Sequence, residues 1–194
     1  MLVPLMVQGR VFKVRQASVC YDKTESYQVV RAIGDLKHDI AMVTGSAEGK
    51  QGQIFVGTYG SKTISGLISK GLLKEQDLKG KWESYVITVT NEKNPRLVIA
   101  GSDKRGTIYG IYDVSQRIGV SPWYWWADVP VAKNPDAAID CDYDASGEPT
   151  VKYRGIFIND EDWGLKPWSS NNFEKELGDI GPRLMPRCAS CCCV

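Results

Sequence analysis

The sequence predicts an α/β domain with a mixed sheet, in which short strands alternate with amphipathic helices. Two observations support this prediction. Apolar residues recur at helical spacing in three separate segments, and β-branched or fully apolar runs of strand length lie between them. The 194 residues are enough for one ordinary domain, or for one domain and the beginning of a second. With 43% hydrophobic and 24% charged residues, the chain has the composition of a folded globular protein.

The first predicted helix follows residues 11–20 (VFKVRQASVC), which have the pattern of a short strand or a pair of strands. Residues 22–26 contain suitable N-capping side chains, and Thr44-Gly45 is a typical helix end. Between them, apolar residues recur at spacings of four and three: Val29, Ile33, Leu36, Ile40 and Val43. Gly34 costs helix propensity, so we interpret it as a point of close packing against a sheet.

The middle of the chain predicts three strands and one more helix. Gln53–Val56 is rich in β-branched and aromatic residues, and a helix then passes through Ile64, Leu67 and Ile68 and ends near Gly71. The alternation of residues 82–90 (WESYVITVT) is the clearest strand pattern. Residues 96–100 (RLVIA) are apolar throughout most of their length, which is typical of a strand buried on both faces.

The last predicted helix runs from about Asp103 to Ile118, and its apolar side contains Ile108, Ile111, Tyr112, Ser115 and Ile118. The composition then changes. An aromatic loop bounded by prolines (residues 121–130) leads into the polar, turn-rich residues 133–148, where we place a domain boundary. A strand is predicted for Tyr153–Ile158, followed by the acidic segment 159–163.

Composition and charge exclude several classes of function. The net charge of +1 argues against nucleic-acid or membrane binding, and no segment approaches transmembrane length. Residues 1–7 are apolar but too short for a signal peptide. Of the six cysteines, only Cys20 and Cys141 lie in the body of the chain, and their spacing matches neither a disulfide framework nor a zinc site. His38 is the sole histidine, which argues against Ser-His-Asp or Cys-His catalysis. We expect no metal and no cofactor.

Two glycine-containing loops resemble anion sites. Residues 57–63 (GTYGSKT) lie between a strand and a helix, but only two residues separate Gly57 from Gly60, so a structural turn is favoured over a phosphate loop. Residues 101–106 (GSDKRG) open a helix after a buried strand. The free N–H groups there, with Lys104 and Arg105, could bind a substrate carboxylate, or the segment could be a capped helix start with two solvated cations. The spacing favours the second interpretation.

Two other segments suit a sugar. Four aromatic residues (123–126) are followed by Asp128 in a loop, where rings could contact sugar C–H faces; alternatively they join two domains. In residues 154–163 (RGIFINDEDW), an apolar strand ends directly in polar side chains, the place where barrel active sites are built. A strand end merely capped by acidic residues is the weaker interpretation.

These last segments carry a family resemblance. Residues 101–131 (GSDKRGTIYGIYDVSQRIGVSPWYWWADVPV) and 153–169 (YRGIFINDEDWGLKPWS) resemble glycoside hydrolase family 115, the xylan α-1,2-glucuronidases, and the resemblance extends over roughly residues 20–183. It implies an N-terminal α/β domain (1–146) similar to the non-catalytic domain of hexosaminidases. The first strand of a truncated TIM barrel (147–183) would follow.

The resemblance also implies binding residues. Asn159 and Asp160 would contact the uronic acid, and Arg154 would grip the sugar or serve the structure. Further residues lie in matching motifs without an assigned role: Lys104, Arg105, Asp128 and Glu161. Such enzymes are expected to invert, using two carboxyl groups that lie on later strands, so the catalytic residues stay unknown.

The expected substrate is glucuronoxylan or its oligosaccharides, from which the parent enzyme removes glucuronic or 4-O-methylglucuronic acid. The resemblance implies that the parent enzyme can be a homodimer, and the family is usually secreted or periplasmic. The chain alone is expected to be inactive. A carbohydrate-binding module without catalysis and a small nucleotide-binding protein are the alternatives. Residues 184–194 (LMPRCASCCCV) depart from the family pattern, and a one-base shift would turn three Cys codons into Leu-Leu-Leu, so we interpret this tail as frameshifted.

Overall fold

The computed structural model describes residues 10–124 and 129–155. Within these ranges the chain forms seven strands and three α-helices, with 3-10 turns at Glu75–Asp77 and Pro122–Tyr124. In chain order the elements are β1 (Val11–Lys13), β2 (Ala17–Cys20), α1 (Tyr27–Thr44), β3 (Gly52–Thr58), α2 (Lys62–Ser69), β4 (Tyr85–Val89), β5 (Leu97–Gly101), α3 (Lys104–Arg117), β6 (Ala138–Asp140) and β7 (Asp144–Ala145).

Five strands form one mixed sheet in the order β2-β3-β5-β4-β7. Strands β2, β3 and β5 are parallel, β4 is antiparallel to β5, and β7 is antiparallel to β4. The predicted α/β domain with a mixed sheet is therefore confirmed. The predicted strand pair at residues 11–20 also forms, but its two halves separate: β1 pairs with β6 in a second, two-stranded sheet.

The core lies on both faces of this sheet because alternate residues of β5 point in opposite directions. Leu97 and Ile99 pack with α1 and α3, whereas Val98 and Ala100 pack with α2. All five residues of β5 are buried, as the apolar pattern predicted. The three layers give the parallel strands a common carboxyl edge, at which β2, β3 and β5 end, and an amino edge, at which they begin.

Helix α1 has the predicted ends. The Ser26 hydroxyl accepts a hydrogen bond from the backbone N–H of Val29 at 3.4 Å, and Gly45 ends the helix with φ of 66°. The five predicted apolar positions are all buried. The interpretation of Gly34 is wrong: this residue is exposed, and a Cβ atom there would meet nothing within 4 Å. Gly34 lies on the solvent face of α1, not against the sheet.

Helix α3 is buried on more sides than its sequence predicted, because it contacts both α1 and the sheet. All five apolar-side residues named above are buried, as predicted. Gly106 and Tyr109, outside that set, are buried as well. A Cβ atom on Gly106 would fall well inside contact distance of the Ser84 backbone oxygen. Glycine is therefore required where α3 passes over the turn that precedes β4.

The segment predicted as turn-rich, residues 133–148, contributes β6 and β7 to the domain. Both strands are too short to produce a periodic pattern, and their partners β1 and β4 supply the pairing. Of the predicted strand 153–158, residues 153–155 have no regular structure and the others lie outside the described residues. Cys20 and Cys141 are free thiols. No helix in the described ranges is long and apolar enough to cross a membrane.

Candidate functional site

Two backbone amides of the glycine loop at residues 57–63 donate hydrogen bonds to acidic side chains of the same chain. The Glu25 carboxylate accepts hydrogen bonds from the Thr58 N–H at 2.8 Å and from the Thr58 hydroxyl at 2.9 Å. Asp22 accepts one from the Thr63 N–H at 2.9 Å, and this bond is the largest cause that lowers the pKa of Asp22. An anion would have to displace these carboxylates, so the structure agrees with a structural turn.

The start of α3 is capped in the same way. One carboxylate oxygen of Asp103 accepts a hydrogen bond from the Gly106 N–H at 2.8 Å, and the other accepts one from the Glu83 N–H at 2.8 Å. Lys104 is exposed to solvent. The interpretation as a capped helix start is therefore the one the structure supports for residues 101–106.

Arg105 and Arg154, two of the predicted site residues, meet at a carboxylate that the sequence analysis did not single out. Glu83 lies in the turn before β4, and its side chain is only 6% exposed. Its Oε1 atom accepts a hydrogen bond from Arg105 Nη1 at 2.7 Å, and its Oε2 atom pairs with Arg154 Nη2. The hydroxyl of Tyr109 lies 3.5 Å from Oε2. We call Glu83, Arg105, Tyr109 and Arg154 the Glu83 cluster.

The charges of the Glu83 cluster are fixed by this geometry. Burial on its own would raise the pKa of Glu83, but the hydrogen bonds and positive charges of Arg105 and Arg154 outweigh it and hold that pKa below its ordinary value. The same contact raises the pKa of Arg154. Burial, followed by the charge of Glu83, raises the pKa of Tyr109. A general acid needs a raised carboxyl pKa, so Glu83 is suited to an ion pair and not to proton transfer.

The backbone at Glu83 is also unusual, with φ of 50°, in the left-handed region that few residues other than glycine adopt. Two further hydrogen bonds hold this turn against the turn that follows β5. Ser84 N–H donates to the Ser102 hydroxyl at 3.0 Å, and Ser102 N–H donates to the Ser84 carbonyl at 2.8 Å. The neighbouring turns thus determine the conformation of Glu83 and direct its side chain towards the two arginines.

The residues that follow β7 are hydrogen-bonded to the start of β4 and to the turn before it. Ser146 exchanges two hydrogen bonds with Tyr85: Tyr85 N–H donates to its hydroxyl at 2.8 Å, and Ser146 N–H donates to the Tyr85 carbonyl at 2.9 Å. Glu148 accepts a bond from the Trp82 N–H at 3.0 Å. The Arg154 guanidinium lies 5.7 Å from the centre of the Trp82 ring. Arg154 is therefore the last of several contacts that attach residues 146–154 to the domain.

The other predicted site residues divide into two groups. Asn159, Asp160, Glu161 and Asp128 lie outside the described residues, as do Trp125 and Trp126 of the aromatic loop. In the described part of that loop, Trp123 is 57% exposed while Tyr124 packs against the core. Within residues 10–124 and 129–155, no three His, Cys, Asp or Glu side chains are grouped as metal ligands.

Comparison with known proteins shows what this arrangement is similar to. The profile of Glycosyl hydrolase family 115 matches residues 146–188. A solved structure, described as a novel family GH115 4-O-methyl-alpha-glucuronidase with specificity for decorated arabinogalactans, is 35% identical over 92% of this chain, with a TM-score of 0.70. The resemblance to glycoside hydrolase family 115 is confirmed. The chain spans only 24% of the length of that family 115 structure. No curated protein sequence matches.

The Glu83 cluster joins the region that matches family 115 to the α/β layer before it. The matched region begins at Ser146, the first residue of the segment that is fastened to β4. Arg154 lies in that region, whereas Glu83 and Arg105 belong to the α/β layer before it.

One signal in the sequence could have indicated Glu83: it is the only carboxylate in the otherwise uncharged residues 82–90. A lone carboxylate beside a buried strand requires a cationic partner.

Proposed function

We propose that the chain supplies the α/β part, and the start of the following segment, of an α-glucuronidase-like glycoside hydrolase. The observation that carries this proposal is the 35% identity over 92% of the chain to a 4-O-methyl-α-glucuronidase structure. The neighbour is described as specific for decorated arabinogalactans, and the motifs of the chain resemble xylan α-glucuronidases. Both are glucuronidases by name, so we assign a (4-O-methyl)glucuronic acid side chain as the sugar that is released.

In this proposal the described residues support catalysis without performing it. Inverting hydrolysis requires two carboxyl groups about 6.5–9.5 Å apart, one of them protonated. Glu83 does not suit the protonated role, because two arginines hold it in the ionised form. We assign the acid and base to later strands of a TIM barrel whose first strand would lie in 147–183. Asn159 and Asp160 would contact the uronic acid at the end of that strand.

The α/β layer would then resemble the non-catalytic domain of hexosaminidases and hold the barrel start through the Glu83 cluster. Arg154 would have a structural role there, since its guanidinium is occupied by Glu83 and lies near the Trp82 ring. In this proposal the structural role of Arg154 takes the place of the direct contact with the sugar that the family resemblance implied. Arg105 would likewise not contact substrate, because its guanidinium is bound to Glu83.

A chimera tests this assignment. Residues 10–146 of this chain replace the equivalent α/β region of the arabinogalactan-active neighbour, and release of 4-O-methylglucuronic acid is measured by anion-exchange chromatography. We expect the chimera to retain activity, and the 194-residue chain alone to release no uronic acid from glucuronoxylan or decorated arabinogalactan. A folded but inactive chimera would contradict the assignment of the α/β part. Uronic acid release by the chain alone would show that residues 1–194 contain the acid and base.

A further inference from the structure

A groove of about 880 Å³ opens at the amino edge of the sheet, opposite the Glu83 cluster. It lies between β1, the turn that leads into β3 and the loop that leads into β5. Four cationic side chains line it: Lys13, Lys50, Lys93 and Arg96. Glu92 is the only carboxylate in the lining. A concave surface with this charge balance suits an anionic ligand.

The cations of this groove differ in how far they are already neutralised. Glu92 is bound by Arg96, with 2.7 Å from Arg96 Nε to the nearer carboxylate oxygen. Lys13 lies 3.1 Å from Asp136, but both side chains are at least 70% exposed, so their attraction is weak. Lys50 and Lys93 form no ion pair with any described residue. Two positive charges therefore remain available to a ligand.

The groove also has the groups that a sugar chain requires. Three amide side chains line it, and each can donate and accept hydrogen bonds as sugar hydroxyls do: Gln51, Gln53 and Asn94. Val11, at 50% exposure, supplies an apolar surface for a sugar C–H face. The backbone lies directly on the Phe12 ring at Gly52, where a Cβ atom would come within 2.9 Å of that ring. The shape of the groove floor therefore depends on glycine.

The same lining disfavours nucleic acid. Binding of single strands depends on exposed aromatic rings on which bases stack. The aromatic ring in the lining, Phe12, is only 4% exposed and is covered by Gly52. Positive charge alone would attract any polyanion. The combination of amides, an aliphatic surface and two lysines without an ion pair fits a hydroxylated chain that carries carboxylates.

We propose that this amino-edge groove binds a polysaccharide bearing uronic acid groups, with Lys50 and Lys93 contacting its carboxylates. The choice of a uronate polymer rests on the proposed function. The groove belongs to the α/β layer, whose role in that proposal is otherwise structural. Binding here would give this layer a part in holding the substrate chain.

Affinity electrophoresis of the 194-residue chain tests the groove. Gels contain either glucuronoxylan or the same polymer after chemical reduction of its carboxyl groups, which keeps the backbone and removes the charge. The Lys50→Gln/Lys93→Gln variant is compared with Lys23→Gln/Lys62→Gln. The second pair is exposed, removes the same charge and lies at the opposite edge of the sheet.

We expect glucuronoxylan to retard the wild type and the control pair equally. The groove variant should bind about fivefold more weakly, as the loss of two surface ion pairs implies.

Four results would overturn the proposal. Equal retardation of both double variants would show that the groove does not bind the polymer. Equal retardation by the reduced polymer would assign binding to uncharged contacts such as the exposed Trp123, the carbohydrate-binding alternative. Tighter binding to single-stranded DNA at the same salt concentration would identify a general polyanion surface. Absence of any binding also refutes polysaccharide binding by the groove. The chimera assay, which measures hydrolysis, remains an independent test of the proposed function.

Discussion

Two arginines at the carboxyl edge of the central sheet and two lysines at its amino edge differ in how they are paired. At the carboxyl edge, Arg105 and Arg154 are both bound to the buried Glu83. At the amino edge, Lys50 and Lys93 line a groove without a carboxylate partner among the described residues. Arg105 and Arg154, which lie inside the family motifs, therefore stabilise the fold, whereas Lys50 and Lys93 lie in loops that no motif marks.

The difference follows from burial. A carboxylate that is 6% exposed loses most of its hydration, and this loss must be compensated by charged hydrogen-bond partners. The arginines at the carboxyl edge provide them, so each member of the Glu83 cluster depends on the others. The exposed lysines at the amino edge stay hydrated, and the fold does not depend on them.

The largest expected effect comes from Glu83→Ala. Removing the carboxylate leaves Arg154, whose side chain is 18% exposed, next to Arg105 without a counter-charge. We expect the free energy of unfolding to fall by about 3 kcal/mol, at the lower end for a buried ion pair because Arg105 is largely exposed. Urea denaturation of the 194-residue chain measures this change. The Lys50→Gln/Lys93→Gln variant is the control from the other edge, and we expect it to change stability by less than about 0.5 kcal/mol. Similar losses in both variants would remove the distinction between the edges.

The next effect comes from the contact between α3 and the turn at the carboxyl edge. In Gly106→Ala the added methyl group meets the Ser84 carbonyl, and we expect a loss of about 2 kcal/mol from overpacking. Gly34→Ala is the matched helix control. It lies in open space, so the better helix propensity of alanine should raise stability by about 0.5–1 kcal/mol. Thermal unfolding followed by circular dichroism measures both variants; a stabilised Gly106→Ala protein would contradict the close approach.

The smallest expected effect is the pH dependence that Glu83 contributes at the carboxyl edge. The folded-state pKa of Glu83 lies below its ordinary value of 4.5, so its ionisation stabilises the fold above that pH. The stabilisation is lost as the pH falls through the lowered pKa. We therefore expect the stability difference between wild type and Glu83→Gln to be constant near neutral pH and to shrink below about pH 4.5. Urea midpoints measured from pH 7 to pH 3 give this difference. Parallel profiles for the two proteins would show that Glu83 does not titrate with folding.

Elements with strong local signals were predictable. Helix α1 forms where the spacing of its apolar residues and its two caps predicted it, and β5 is buried as its composition predicted. The prediction for Gly34 was wrong because propensity alone does not distinguish a packed glycine from an exposed one. Strands β6 and β7 were missed because they are two or three residues long and depend on partners far away in the chain.

The amino-acid sequence by itself determined the helices, the long strands, the α/β class and the family resemblance, since each depends on residues close together in the chain or on specific motifs. Only the tertiary structure decided which cations are occupied. Glu83 lies 22 residues from Arg105 and 71 from Arg154, and no periodic pattern spans those separations. The three meet because the turns before β4 and after β5 are joined by hydrogen bonds, and burial then makes the carboxylate dependent on both arginines.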